Sequence, residues 1–383
     1  MSSPIAESPD AQPKPLQEQL LLEPYDAVVV LSFGGPEGPE EVMPFLRRVT
    51  GGRGIPDSRL EEVAEHYYAR GGRSPINGQT RALQEAVRGE LRRRGYSTPV
   101  LVANRNSEPF LADVLRGTHD AGAERVLVVT TSAYASYSSC RQYREDIAGA
   151  LAELADEGRT LVVDKIRQYA THPSFARVNI RLVTEAVRAC GQPEDDKLRL
   201  VFVTHSIPNA MDDTSGPGDG EGNLYDHQHD EIAHVILDEA GITLDRNLSG
   251  ALVYCSRSGR PEQPWLEPDV NDHLRRLAED GITDVVVAPI GFVSDHMEVV
   301  HDLDTEAAET AAEVGLRMTR VPTVGTDAEF VMGLVDLVEE RAAQARGERV
   351  DPIAWPGAAM PPVCAAGCCP NLRTAKPAAC GKD

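Results

Sequence analysis

The chain predicts an α/β, doubly wound architecture in two similar domains, and three observations carry that prediction. Short apolar runs recur between residues 27 and 321 of the 383, most of them are continuously apolar, and helical patterns lie between them. A strand covered on both faces has no solvent side, so its sequence loses the alternation of period two. Strands that alternate with helices are then joined by crossovers into parallel sheets.

Residues 1–24 are rich in Pro, Gln, Glu and Ser and are expected to be a disordered lead. Order is expected from Tyr25, because 27–34 is a β-branched apolar run that ends in glycine. Similar runs follow at 99–103, 125–131, 161–165, 200–204, 250–255, 284–292 and 316–321. Helical periodicity fills 79–94, 173–189, 230–240 and 269–279. Four runs fall on each side of about residue 195, with a polar, proline-containing linker at 192–197. Domains of 25–194 and 195–350 follow, with a Cys-rich tail at 351–383. The tail holds too many Pro and Gly residues for a helix and is expected to order only around a metal.

Asp and Glu outnumber Lys and Arg by 60 to 38, a formal charge of -22. Such a chain is a poor partner for nucleic-acid phosphate or anionic lipid. There is no positive, apolar leader and no run of membrane-spanning length, so no integral membrane segment and a cytoplasmic location are expected. Seven cysteines in a cytosolic chain read as free thiols or metal ligands. No Walker phosphate loop appears, and Gly34-Gly35-Pro36-Glu37-Gly38-Pro39 is a poor pyrophosphate cradle.

Chemistry is suggested in two places. Glu298, Asp302 and Glu306 recur every four residues after an apolar run, and at that spacing helical neighbours share a face. Such a ridge either is solvated or faces a cation moving along it. Asp295-x-x-Glu298 also fits a capping box, which would use Glu298 on a backbone N–H. His205 ends another run, and groups past the carboxyl ends of parallel strands line the ligand crevice. A hydrogen-bonded loop histidine is the plainer reading of His205 taken alone.

Five motifs in order resemble one family, the ferrochelatases, which insert ferrous iron into a porphyrin. They are Leu31-Ser32-Phe33-Gly34-Gly35-Pro36, Gly71-Gly72-Arg73-Ser74-Pro75-Ile76, Thr204-His205-Ser206-Ile207-Pro208, Pro264-Trp265-Leu266-Glu267-Pro268-Asp269, and Pro289-Ile290-Gly291-Phe292 with Ser294-Asp295-His296-Met297-Glu298. The resemblance runs from Tyr25 to about residue 345. It implies two Rossmann-like, chelatase-type domains with parallel four-stranded sheets and a porphyrin cleft between them. It further implies that His205 and Glu298 are paired iron-site residues on opposite sides of the cleft. Asp302 and Glu306 become a metal path along a helix that is partly π-like. Ser74 and Tyr143 match porphyrin-contacting positions, and Arg53, His66 and Tyr67 match further cleft positions. Phe33 stands where some relatives that use coproporphyrin carry an iron-ligating tyrosine, so the resemblance does not supply that contact here.

Some ferrochelatases hold a 2Fe–2S cluster with one cysteine from the body and three from a C-terminal extension. The resemblance offers Cys364, Cys368, Cys369 and Cys380 in the extension, and Cys190, or else Cys140, in the body. A tail of unliganded thiols is the alternative, and a zinc site is disfavoured because no C-x-x-C pair is present. The acid-rich sequence with Gly-Gly-Pro-Glu-Gly-Pro-Glu resembles the actinobacterial branch, which implies coproporphyrin III as substrate with Fe²⁺, and protoporphyrin IX as runner-up. Transient contact with neighbouring haem-pathway enzymes is also implied. A cobalt chelatase and a non-catalytic haem-binding or iron–sulfur protein are the readings from other classes.

Overall fold

Eight strands, among the residues described, form two parallel sheets of four. The computed structural model describes residues 21–51, 54–191, 193–218, 221–259 and 262–379. The first sheet contains β1 (Ala27–Ser32), β2 (Val100–Asn104), β3 (Arg125–Thr130) and β4 (Val162–Lys165), in the order β2-β1-β3-β4. The second contains β5 (Leu198–His205), β6 (Gly250–Cys255), β7 (Asp284–Ala288) and β8 (Arg317–Arg320), in the order β6-β5-β7-β8. Val29 faces Leu101 and Val128 across the first ladder, and Val201 faces Ala251 and Val287 across the second. The expected N-terminal lead falls almost wholly outside the described residues, as do Arg53 and Cys380.

The helices are α1 (Pro39–Val49), α2 (Asp57–Tyr68), α3 (Ile76–Arg93), α4 (Leu111–Asp120), α5 (Gln142–Asp156) and α6 (Pro173–Ala189) in the first part of the chain. They continue as α7 (Asn209–Asp212), α8 (Leu224–Leu244), α9 (Val270–Glu279), α10 (Met297–His301), α11 (Ala308–Glu313) and α12 (Ala328–Ala345). Two π-helical segments, Tyr137–Arg141 and Asp302–Ala307, run directly into α5 and α11. None of the described helices is long and apolar enough to cross a membrane.

The continuous apolar runs have a simple physical cause. Along β1, Val28 and Val30 join one core, whereas Ala27, Val29 and Leu31 join another on the opposite face. Along β5, Leu200 and Phe202 enter that same first core, and Val201 and Val203 enter a third. One shared layer thus touches both sheets, filled by residues of α3, α6, α8 and α12. Each fully buried Val or Leu there contributes about 1.5–3 kcal/mol relative to exposure. The C-terminal helix α12 closes this layer by packing on α3 and α6.

The tail is held by protein groups. Arg144, 3 % exposed, donates to the carbonyls of Ala379 and Pro362 at 2.9 and 3.1 Å. Arg141 donates to the Cys368 carbonyl at 3.2 Å, and the Trp355 N–H to the Thr171 carbonyl at 2.8 Å. The irregular backbone of the tail thus has protein partners. Buried guanidinium groups satisfy its carbonyls, which are the groups an irregular backbone otherwise leaves unpaired.

Candidate functional site

In an open parallel sheet, the crevice opens where neighbouring strands send their chains to opposite faces. In the second sheet that point lies between β5 and β7. His205 is the last residue of β5, and Glu298 lies in α10, the first helix after β7. The topology thus brings together two residues separated by 93 positions, and His205 Nε2 lies 3.5 Å from Glu298 Oε2. Both belong to the C-terminal half and meet directly, which corrects the expectation that they face each other across the cleft. Nor does Glu298 serve a capping box: α10 has no side-chain cap, and Asp295 instead pairs with Arg320 at 2.6 Å.

The His205 Nδ1 faces the Ser206 carbonyl, which only accepts, so the proton sits on Nδ1. In the neutral ring the lone pair is then on Nε2, the nitrogen that faces Glu298. Burial alone would lower the His205 pKa, but the hydrogen bond and charge of Glu298 outweigh it and raise the value. His296 Nδ1 lies 3.8 Å from the same Glu298 oxygen, and burial holds this second imidazole below its ordinary value. Tyr67 is 7 % exposed, and burial together with the charges of Glu298 and Asp302 raises its phenol pKa.

The carboxylate ridge continues from Glu298 in an altered geometry. From Asp302 the helix becomes π, and residues five apart then stack along the axis. His301 Nε2 accordingly lies 3.3 Å from Glu306 Oε1. One ligand atom each of His301, Asp302 and Glu306 falls within 4.8 Å of the others, a donor set suited to a divalent cation. Burial pushes the Asp302 carboxyl up to about 7, although the Ser256 hydroxyl donates to it. His66 stacks on His301 with centroids 3.7 Å apart, and burial and that neighbour hold it low. His301 is the member that sequence spacing missed. Only its offset of five from Glu306, read with a π-turn, signals it.

The first sheet supplies another group at its own switch point. Phe33 follows β1, and Tyr143 stands in α5 after β3. Arg105, just past β2, lies 4.5 Å from the Tyr143 ring centroid and 5.8 Å from that of Phe33, and also pairs with Asp146. Tyr143 is 4 % exposed beneath that guanidinium. Ser74 is buried against the Gly34-Gly35 turn, where a Cβ on Gly35 would sit 2.5 Å from Ser74 Cβ. The α1–α2 lobe covers this region, packing Phe45 and Tyr67 with Met297 and Phe33.

Motifs far apart in sequence meet in space. The Leu266 N–H donates to the Ile207 carbonyl at 3.0 Å, and the Ser206 hydroxyl to the Leu266 carbonyl at 2.8 Å. A Cβ on Gly291 would lie 2.2 Å from Thr204 Oγ1, so only glycine lets the 289–293 turn pass the end of β5.

The described tail cysteines and their candidate body partners fall in two places. Cys364 and Cys368 pack with Ala135, Met360 and Leu224, and the Cys369 thiol meets the N–H and carbonyl of Gly216, each at 3.2 Å. Cys140 is buried in the π-helical segment beside Arg141, the residue that holds the Cys368 carbonyl. Cys190 instead ends α6, its thiol on the Val187 carbonyl and within electrostatic reach of Arg317 at the start of β8. That is the amino end of the second sheet, so Cys190 is corrected as the body partner of the tail thiols.

A ferrochelatase family model matches residues 25–342. The coproporphyrin III ferrochelatase of Streptomyces coelicolor is 49% identical over 364 residues, covering 94% of this chain and 97% of that protein. The enzyme of the same name from Streptomyces griseus is 50% identical over 367 residues, covering 94% and 97%. That from Corynebacterium glutamicum is 42% identical over 367 residues, covering 93% and 98%. With two parallel sheets that join His205 and Glu298 at a switch point, and a family match spanning most of its length, the chain belongs to the ferrochelatase family.

Proposed function

We propose that the protein inserts Fe²⁺ into coproporphyrin III in the cytoplasm, as a step of haem biosynthesis. The observation that carries this reading is the direct contact of His205 Nε2 with Glu298 Oε2 at the end of β5. Metalation must remove two pyrrole protons and exchange the water shell of iron for four nitrogens. A flat macrocycle hides its lone pairs, so binding energy from its peripheral carboxylates has to be used to bend it. Neutral His205 presents its lone pair at Nε2 and takes a pyrrole proton, and Glu298 beside it relays that proton away. His301, Asp302 and Glu306 hold the incoming Fe²⁺ before it reaches the ring.

Four propionates on coproporphyrin, against two on protoporphyrin IX, call for more cationic donors in the cleft. Ser74 and Tyr143, with His66 and Tyr67, belong to the same porphyrin-binding wall in this reading. The names of the actinobacterial relatives support the tetracarboxylate substrate. Anaerobic assays with Fe²⁺ and each porphyrin test it: kcat/KM should be higher for coproporphyrin III. Equal or reversed values would assign protoporphyrin IX instead. Product release to a neighbouring enzyme of the pathway belongs to the same reading.

We further propose that Cys364, Cys368 and Cys369, with Cys140 from the body, hold a 2Fe–2S cluster. Cys364 and Cys368 packed by Ala135, Cys369 at Gly216, and Cys140 beside Arg141, which binds the Cys368 carbonyl, are soft donors of the kind such a group requires. When bound, the cluster supplies one-electron redox chemistry and a further tie between tail and body. Protein purified without oxygen should contain about two irons and two sulfides per chain. Iron-free protein from an iron- and sulfide-replete preparation would refute the assignment, as would unchanged iron content in Cys140→Ser.

A further inference from the structure

Next to His205 lies a buried chain of polar side chains that the chemistry above does not use. Its members are Tyr134, Thr204, Tyr225 and His229, none more than 4 % exposed. The His229 ring stacks on Tyr134 with centroids 3.5 Å apart, and Tyr134 donates to the Ile290 carbonyl at 2.9 Å. His229 Nδ1 lies 2.7 Å from the Tyr225 carbonyl, so that nitrogen carries the proton. His229 Nε2 therefore accepts, and it takes the Thr204 hydroxyl proton over 2.8 Å. Burial holds the His229 pKa down at about 3, which keeps this neutral arrangement. With the Thr204 proton committed, the Tyr225 hydroxyl donates its own proton to the carbonyl of His205 at 2.8 Å, and its 3.0 Å approach to Thr204 Oγ1 is a packing contact.

That last bond gives the chain its consequence. The peptide between His205 and Ser206 is held at both ends, its carbonyl by Tyr225 and its N–H by the Cys255 carbonyl at 2.8 Å. Its orientation sets where the next carbonyl, that of Ser206, points. The Ser206 carbonyl is the acceptor that fixes the His205 tautomer and aims Nε2 at Glu298. We propose that Tyr225, buried beside Thr204 and His229, is a positioning residue that holds the His205 imidazole in its reactive orientation through the His205 carbonyl. The inference rests on the proposed metal-insertion reading, and it predicts a loss in turnover rather than in substrate binding, because none of these groups reaches the cleft surface.

The test is steady-state metalation of coproporphyrin III with Fe²⁺ by Tyr225→Phe, which deletes one hydroxyl and keeps the ring. The expected result is a fall in kcat of about fivefold, the rate equivalent of one net hydrogen bond. KM for the porphyrin should stay within about twofold, since interactions made only on the way to the transition state change kcat alone. An unchanged kcat, or kcat and KM moving together, would overturn the positioning role. Should Tyr225→Phe fold poorly, kcat is referred to porphyrin-binding sites counted by absorbance titration, so that only folded protein enters: kcat per site falls with KM held, and an unchanged kcat per site would overturn the role. A wild-type protein that metalates no porphyrin overturns the proposed function and this inference together, whereas an active wild type with an unaffected variant overturns the positioning role alone.

Discussion

Replacing His172 by Asn should flatten the acid side of the stability profile. His172 is the N-cap of α6, 5 % exposed, and its Nδ1 accepts the Ser174 N–H at 3.4 Å and lies 2.8 Å from the Ser174 hydroxyl. Gly333 of α12 presses on the cap, since a Cβ there would lie 1.8 Å from Ser174 Oγ and 2.9 Å from His172 Nδ1. Burial, then the Arg167 charge, opposed by Asp336 and aided by Arg177, lowers the His172 pKa from 6.5 to about 4. A protonated ring would lose the cap and sit as a cation beside arginine. The folded value is the depressed one, so the unfolded chain takes up the proton first as the pH falls. The contribution is complete above the unfolded pKa of 6.5, shrinks as the pH drops below it, and levels off below the folded value of about 4. Between about pH 7.5 and about pH 5 this one group removes about 2 kcal/mol of stability. Asn keeps an N-cap acceptor and does not titrate. Urea unfolding at the two pH values, with thiols kept reduced, should show wild type losing about 2 kcal/mol more than His172→Asn. Equal losses in both proteins would refute the buried, neutral assignment.

His205→Ala and Glu298→Gln should each slow metalation by about 10²–10⁴-fold with an unchanged unfolding midpoint, and near-native turnover in either would return that residue to a structural role. Asp302→Asn, Glu306→Gln and His301→Ala should raise KM for iron more than they lower kcat, read from iron-saturation curves at fixed porphyrin. A pure kcat effect would remove these residues from the delivery path. Gly291→Ala should destabilise the protein by about 1–3 kcal/mol in urea, because its new Cβ meets Thr204 Oγ1 at 2.2 Å and the Thr204 Cα at 2.8 Å. A stability change near zero would mean that the 289–293 turn shifts freely.

The sequence by itself determined the two four-stranded parallel sheets. The eight apolar runs overlap β1 to β8, since the inner strands β1, β3, β5 and β7 each feed a core on both faces and periodicity registers that directly. Helix α6 begins and ends where Pro173 and Ala189 predict, whereas α8 starts six residues before its expected start because Tyr225–His229 is polar in type yet largely buried. The five motifs identified the family for the same reason: each is a local run whose residue types are constrained by close packing, as Gly35 is against Ser74 and Gly291 against Thr204.

Only the tertiary structure decided which groups act together. Glu298 satisfies either a helix cap or a base on sequence grounds, and the strand order β6-β5-β7-β8 directs it to His205. His301 enters the cation-binding group because a π-turn moves Glu306 one residue out of α-helical phase. Cys190 and Cys140 are equivalent as letters, yet the ends of α6 and α5 place them at different poles of the molecule. Periodicity reports which face of an element is buried. It carries no information on which strand end, helix turn or carbonyl lies opposite, and those pairings set the charge, the tautomer and the ligand atoms of the site.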